Sequence, residues 1–174
     1  EGANVLGASV ADGWYSGYLG FKNIHRYYGA APRVLLQLVV VYADGSTEVI
    51  ATNETWQVAP GPIRYSDIQM GERYDARLEM PGWDTPGGER SGRDVDWQPA
   101  LAEPVSSDVI LEGQRDPCIQ VTEEIAPVTI TEPKPGVHIF DLGQNFAGRV
   151  RLEVAGEAGT EIRLRYGEML EPDG

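Results

Sequence analysis

Short apolar segments separated by turn residues recur along the whole sequence. The segments are rich in Val, Ile, Leu and Thr, and the 21 glycines and 12 prolines of the 174-residue chain supply turns between them. Such segments are typical of β-strands, and no long stretch has the apolar period of a helix. The sequence therefore predicts an all-β protein built as an antiparallel β-sandwich.

The longest apolar run, RVLLQLVVVY, predicts a central strand that is buried on both faces. Asp44 and Gly45 follow it, and because this dipeptide favours tight hairpins, TEVIAT should return antiparallel to the run. Further strands are predicted at NVLGASV, TWQVA, GPIRYSDI, CIQVTEEI, PVTIT and GVHIFDLG. Cys118 should then be a small buried group within one of these strands.

Two segments near the end of the sequence alternate strictly between apolar and charged residues. GRVRLEV and TEIRLRY each place their apolar side chains on one face and their Arg and Glu side chains on the other. AGEAGT between them predicts a hairpin loop, with cross-strand Arg–Glu pairs on the wet face. Because a lone hairpin is marginal in water, we expect it to pack on the first domain or to pair with another chain.

Residues 81–104 differ in kind from the rest of the sequence. They combine Pro and Gly with scattered charges, and they include Trp83 and Trp97. We interpret this stretch as a long surface crossing that the two indoles fix to the main body. A connection of this length in a compact domain is often functional.

Charge and cysteine content exclude several classes of partner. The net charge of −13 and the pI near 4.5 disfavour nucleic acid and anionic membrane surfaces. No apolar run approaches the length of a membrane span, so no membrane partner is predicted. The single cysteine, Cys118, permits no disulfide within the chain. This fits a reducing compartment and slightly favours the cytoplasm, with secretion of a longer parent left open.

The segment GERYDAR concentrates charge around Tyr74, and two interpretations of it stay open. As a sugar-facing edge, Tyr74 would stack on a pyranose while Glu72, Asp75 and Arg77 bind its hydroxyls. As a structural strand, it would place Arg73, Asp75 and Arg77 on one face in an ion-pair ladder. A buried ladder of this kind would cost ~3–5 kcal/mol to break from one side.

Two further motifs also leave alternatives open. ADGWYSGYLGF sets Trp14 and Tyr15 among glycines, as a sugar-stacking platform or as a loop that plugs the end of a sandwich. In FDLGQNFAGR, Asp141 and Asn145 either anchor a neighbouring domain or cap free backbone groups in a turn.

DGWY, GERYDAR and FDLGQNFAGR, in this order and at these spacings, resemble the bacterial α-L-rhamnosidases. Members of this family are large glycoside hydrolases that remove terminal L-rhamnose with inversion. The resemblance implies a galactose-binding-like jelly-roll domain over residues 1–122, truncated at its start. It also implies the opening strands of a second β-sandwich over residues 123–174. The family's catalytic glutamates lie in an (α/α)6 barrel, which this sequence does not reach.

What the resemblance implies for function is a non-catalytic accessory and substrate-recognition region. Its expected partners are L-rhamnose-containing glycosides and the (α/α)6 barrel of the same parent chain, and self-association through truncated sheet edges is a further expectation. An autonomous L-rhamnose-binding module is the alternative. No catalytic residue is predicted, and the candidate sugar-binding residues are Trp14, Tyr15, Glu72, Tyr74, Asp75 and Arg77.

Some rhamnosidases carry a related module that binds rhamnose through calcium. Calcium needs several carboxylate and carbonyl oxygens, and the sequence has no compact run of Asp and Asn. The candidate calcium ligands in the sequence are Asn4, Asp12 and Asn23. We therefore predict no metal site and no other cofactor.

Overall fold

A computed structural model describes residues 2–22, 24–88, 95–110, 112–113 and 115–171 of the chain. These residues fall into two units, Glu1–Ser106 and Ser107–Gly174. Asn23, which the sequence offered as a calcium ligand, lies outside the described residues.

Short strands make up the regular structure of both units. The first unit has a four-residue helix, α1 (Gly13–Ser16), and a 3₁₀ turn at Ala76–Leu78. Its strands are β1 (Tyr18–Leu19), β2 (Ile24–His25), β3 (Gln37–Val41), β4 (Thr47–Ala51), β5 (Gln57–Val58), β6 (Ile63–Asp67), β7 (Gly71–Tyr74) and β8 (Gln98–Pro99). The second unit has β9 (Thr129–Lys134) and β10 (Val137–Asp141).

The strands pair two by two, and every pair is antiparallel. The pairs are β1 with β2, β3 with β4, β5 with β8, β6 with β7, and β9 with β10. Within the described ranges no third strand joins any pair. The predicted class, all-β with antiparallel pairing and almost no helix, is confirmed.

The β3–β4 hairpin forms where the sequence predicts it. Its turn is closed by the Tyr42 and Gly45 amides, which donate to Ser46 and Tyr42 carbonyls at 2.9 Å. Gly45 has φ 82°, a left-handed conformation that glycine adopts without strain. The Asp44 carboxylate accepts a hydrogen bond from the Ser46 amide at 2.9 Å and so fixes the turn. Local turn chemistry is therefore sufficient to set this register.

The prediction that RVLLQLVVVY is buried on both faces is wrong. The strand begins only at Gln37, and Val39 and Val41 are 56% and 68% exposed. β3 has one partner strand, and no described layer packs over the pair. Across the described residues no hydrophobic side chain is buried, whereas two polar residues, Ser16 and Asp67, are.

In the second unit the β9–β10 hairpin confirms the strands predicted at PVTIT and GVHIFDLG. The Asp141 carbonyl accepts a hydrogen bond from the Val128 amide at 2.8 Å, and its side chain accepts one from the Gly143 amide at 2.8 Å. Gly143 has φ 73°, as the turn requires. Of the two interpretations of FDLGQNFAGR, the contacts of Asp141 therefore agree with the one in which it caps backbone groups in a turn.

The strands predicted at GRVRLEV and TEIRLRY are wrong, since residues 149–154 and 161–166 form no ladder. A turn does lie between them, where the Thr160 amide donates to the Glu157 carbonyl at 3.1 Å. Two of the arginines pair within their own segments, Arg151 with Glu153 and Arg163 with Glu161. Arg151 also lies 3.9 Å from Glu124. Such i, i+2 pairs need only extended backbone, whereas a strand also needs a hydrogen-bonded partner.

The strands predicted at NVLGASV and CIQVTEEI are absent for the same reason, because neither segment finds a partner among the described residues. Cys118 is exposed, so its expected burial is also wrong. The 81–104 crossing supplies β8, which pairs with β5, and both of its indoles are half-buried. Its residues 89–94 lie outside the described chain.

Candidate functional site

A buried carboxylate joins two distant parts of the first unit. Asp67 ends β6 and is 7% exposed. Its Oδ2 accepts a hydrogen bond from the Tyr18 amide at 2.7 Å, and its Oδ1 accepts from the Gln69 and Met70 amides at 2.8 Å each. Hydrogen bonds to an ionised acceptor are stronger than neutral ones. Asp67 therefore ties the Trp14 loop, residues 12–21, to the β6–β7 hairpin.

Hydrogen bonding sets the protonation of this carboxylate. The bond from the Tyr18 amide, assisted by those from Met70 and Gln69 and by the nearby His25, holds the pKa of Asp67 below its ordinary value. Burial opposes this shift but does not cancel it. Asp67 is thus held as a carboxylate, and a general acid would need the opposite shift.

Side-chain contacts hold the Trp14 loop in place. Ser16, at the end of α1, donates from Oγ to the Asp12 carboxylate at 2.7 Å. The Tyr15 ring lies against Gly29, where an added Cβ would come within 2.5 Å of the phenol oxygen. Trp14 and Tyr15 remain 46% and 41% exposed. The loop therefore presents aromatic surface on a fixed backbone.

Close approach also explains a glycine in this loop. A Cβ added at Gly17 would come within 2.5 Å of Asp67 Oδ2 and would also clash with the Gly13 carbonyl oxygen. Only glycine leaves room here for the carboxylate to reach the Tyr18 amide.

GERYDAR is a strand followed by a cap, and the predicted ladder of Arg73, Asp75 and Arg77 is wrong. β7 ends at Tyr74, and Asp75 caps the 3₁₀ turn by accepting from the Arg77 amide at 3.0 Å. The Arg77 guanidinium binds the same carboxylate through two hydrogen bonds of 2.8 and 2.7 Å. The pair is not buried, because the Arg77 side chain is 60% exposed.

Tyr74 lies at the rim of a surface depression of ≈ 380 Å³, which we call the Tyr74 depression. Its lining is part aromatic, part acidic and part apolar, and consists of Pro62, Tyr74, Glu79, Met80, Pro81, Gly82, Trp83 and Asp84. The Tyr74 hydroxyl donates to Glu79 Oε1 at 2.7 Å. This bond, with smaller effects of burial and of Glu72, raises the pKa of Tyr74, so the phenol stays neutral.

The described residues hold no group of three or more His, Cys, Asp or Glu side chains placed to bind a metal ion. Asp12 is engaged by Ser16, and His25 stacks on Tyr18 with ring centroids 4.7 Å apart. None of the helices in the described part of the chain is long and apolar enough to span a membrane.

Comparison with known families covers nearly the whole chain. The α-L-rhamnosidase N-terminal domain matches residues 1–123, which is more than half of the sequence. The bacterial α-L-rhamnosidase concanavalin-like domain matches residues 131–174. The chain belongs to the bacterial α-L-rhamnosidase family. It corresponds to the N-terminal region of such proteins.

Curated relatives agree with this assignment. An α-L-rhamnosidase of Streptomyces avermitilis is 44% identical over 173 residues, which are 99% of this chain and 16% of that protein. An α-L-rhamnosidase of Formosa agariphila is 39% identical over 177 residues, covering all of this chain and 18% of that protein. The chain thus spans less than a fifth of the length of these rhamnosidases.

Solved rhamnosidase structures share the fold. The structure of the S. avermitilis α-L-rhamnosidase complexed with L-rhamnose matches 93% of this chain and 15% of its own, with a TM-score of 0.78 and 43% identity. The α-L-rhamnosidase from Dictyoglumus thermophilum matches 77% of this chain and 14% of its own, with a TM-score of 0.59 and 33% identity.

The structure places the six predicted sugar-binding residues in three parts of the first unit: the Trp14 loop, β7 and the 3₁₀ turn after it. Tyr74 lines the depression, and the other five are not among its lining residues in the described chain. Glu72 lies on β7 opposite Ser66, and Asp75 and Arg77 bind each other. Trp14 and Tyr15 belong to the Asp67-bound loop.

Sequence reasoning missed Glu79 and Asp84, and it assigned Trp83 only a packing role. A usable signal was present. Tyr74 and Glu79 are five residues apart across a short turn, and MPGWD then reverses the chain through Gly82, with φ 78°. Glu79 and Asp84, which stand on either side of the turn that carries Trp83, could have predicted the depression.

Proposed function

We propose that this chain is the non-catalytic accessory region of an α-L-rhamnosidase that hydrolyses terminal L-rhamnose from glycosides. In this role it supports the catalytic (α/α)6 barrel of the same parent chain and helps to shape the approach of rhamnosylated substrates. The family assignment and the 16% share of the S. avermitilis relative support it.

The single observation that carries the proposal is the exposure of apolar strand residues. Val39 and Val49, which pair across the β3–β4 hairpin, are 56% and 57% exposed, and Ile130 on β9 is 58% exposed. Large exposed apolar patches on a protein surface mark contact with other protein. Further parts of a rhamnosidase would bury these side chains, which no described residue covers.

The two carboxyl groups with a lowered pKa are unsuited to the role of general acid. An inverting glycosidase needs a general acid with a raised pKa and a base about 6.5–9.5 Å away. Within the described chain the pKa is shifted downwards at Asp44, by hydrogen bonds from Ser46, and at Asp67. Both shifts favour the ionised form and disfavour the role of acid.

A chimera tests the proposal. The aligned region of the S. avermitilis rhamnosidase is replaced by this chain, and hydrolysis of an aryl α-L-rhamnoside is compared with the unaltered enzyme and with a version that lacks the region. We expect the chimera to keep kcat within about threefold, since no reacting group is exchanged, and the deletion to lose folding or activity. A folded but inactive chimera, or hydrolysis by this chain alone, would overturn the proposal.

An autonomous L-rhamnose-binding module is the second candidate. The observation that favours it is the Tyr74 depression, where an aromatic ring held by a carboxylate stays half exposed. Calorimetric titration of the isolated chain with L-rhamnose tests this candidate. Absence of heat at millimolar sugar would remove the module, and saturable heat would show that the chain binds the sugar by itself, with the chimera deciding whether it also serves as an accessory region.

A further inference from the structure

We propose that the Tyr74 depression is a binding site for one neutral pyranose ring. In it Tyr74 and Trp83 offer apolar ring faces, and Glu79 and Asp84 accept hydrogen bonds from sugar hydroxyls. This inference rests on the proposed function, because it gives a location to the recognition of rhamnosylated substrates.

The size of the depression fits a single sugar. Its volume of ≈ 380 Å³ lies at the lower end of the range of about 300–1,000 Å³ for small-molecule sites. It takes one ring with its ordered water and does not enclose a long glycan. A terminal residue is therefore the part of a glycoside that it suits.

The Tyr74 ring is held in place before any ligand binds. Its hydroxyl is fixed to Glu79 Oε1 at 2.7 Å, while the residue stays 50% exposed. An ionised carboxylate has about four acceptor positions, so Glu79 retains capacity for a sugar hydroxyl after binding Tyr74. Fixing a ring and an acceptor together in advance lowers the entropy lost on binding.

The Trp83 indole is also positioned by the chain. It lies against the backbone at Gly7, where an added Cβ would come within 2.5 Å of Cζ3, and the residue is half-buried. The Trp83 amide donates to the Met80 carbonyl at 3.2 Å, which closes the turn below the ring. Tyr74, at the end of β7, and Trp83 are thus joined by a short run of chain with its own turns.

The charge of the site selects against anionic ligands. Glu79 and Asp84 both line the depression, and the chain carries a net charge of −13. A uronic acid or a phosphate would be repelled. Pro62 and Met80 add apolar lining, which suits a deoxy-sugar such as L-rhamnose better than a fully hydroxylated hexose. An ammonium cation is the competing occupant, since aromatic rings and carboxylates also attract cations.

The test is an NMR titration of the ¹⁵N-labelled chain. L-Rhamnose is added first, then the acyclic polyol mannitol, then tetramethylammonium. The chain has four tryptophans, so its indole signals can be assigned by single Trp→Phe variants. We expect saturable shifts of the Trp83 indole and of the amides of Glu79, Met80, Gly82 and Asp84 with L-rhamnose, and none with mannitol. Saturation by the cation without a response to the sugar would overturn the proposal.

Variants locate the sugar within the chain. Glu79→Gln keeps an acceptor for Tyr74 but weakens the bonds to sugar hydroxyls, and Trp83→Phe shrinks the ring surface while retaining an aromatic against Gly7. We expect either change to weaken L-rhamnose binding by roughly fivefold or more. The matched controls, Glu72→Gln and Trp97→Phe, should leave affinity unchanged. Equal effects of controls and test variants, or no effect of either, would contradict the assignment.

Failure here differs from failure of the proposed function. A chimera that retains kcat while the chain shows no sugar-dependent shift would keep the accessory role and remove this site. Saturable binding at the Trp83 indole together with an inactive, folded chimera would keep this site and overturn the accessory role.

Discussion

Two aspartates, one at the turn of the β6–β7 hairpin and one directly after β7, behave differently. Asp67 is buried and accepts hydrogen bonds from three backbone amides, one of them from Tyr18, 49 residues earlier. Asp75 lies in the charged cluster GERYDAR, yet it binds the largely exposed Arg77 two residues on. The carboxylate that joins distant segments is therefore not the one that the local density of charge indicates.

The largest effect should come from Asp67→Ala. It leaves the Tyr18, Gln69 and Met70 amides, which are part-buried in these bonds, without their acceptor. Losing three charge-assisted hydrogen bonds together destabilises the loop. We expect hydrogen exchange at these three amides to accelerate by at least about tenfold. Exchange that stays at its original rate would show that Asp67 does not hold the Trp14 loop.

Gly17→Ala should come second, because its methyl group competes with Asp67 for space. Overpacking of this kind typically lowers the free energy of unfolding by ~1–3 kcal/mol. Denaturant titration of the variant measures the loss. Gly20→Ala is not a matched control, since Gly20 has φ 64°, but Gly113→Ala meets no atom within 4 Å and should be close to neutral.

The pH dependence of the loop should follow Asp67. Because its folded pKa is lowered, its contribution is present above the unfolded pKa of about 3.9 and is lost as the pH falls through the folded value. We expect amide protection of Tyr18 to decrease in that acidic window. In Asp67→Asn the same window should be flat, and an unchanged profile would assign the transition to another group.

The smallest effect should come from Arg77→Ala, which removes the exposed partner of Asp75. Exposed ion pairs contribute little, and the Asp75 side chain can still cap the Arg77 backbone amide. We expect hydrogen exchange in the 3₁₀ turn to change by less than about threefold. A change as large as that of Asp67→Ala would mean that the ion pair is structural after all.

The sequence predicts best where the deciding chemistry is local. Asp44 and Gly45 specify the β3–β4 turn by themselves, and the same holds for the turn at Asp141 and Gly143. The alternation in residues 149–166 accounts for the i, i+2 ion pairs. Strand pairing depends on a partner that the pattern does not specify, and the predicted strands are absent. The hydrogen bond between Asp67 and the Tyr18 amide could not be predicted, because no local pattern links the two residues.

The candidate site shows the same limit. Tyr74 is the predicted residue that lines the depression, whereas Glu79 and Trp83 reach it only because the chain turns after β7. Family motifs identified the rhamnosidase region from DGWY, GERYDAR and FDLGQNFAGR, but they did not show which side chains meet. The domain boundary after residue 122 and self-association through sheet edges stay predictions.

The most direct test of the account is hydrogen exchange on the β3–β4 hairpin, measured in the isolated chain and in the S. avermitilis chimera. If the exposed faces of Val39 and Val49 are covered by the rest of a rhamnosidase, the hairpin should open less often, and the amides that bond β3 to β4 should exchange at least about tenfold more slowly in the chimera. Equal rates in the two proteins would contradict the account, because these faces would then have no partner in the enzyme.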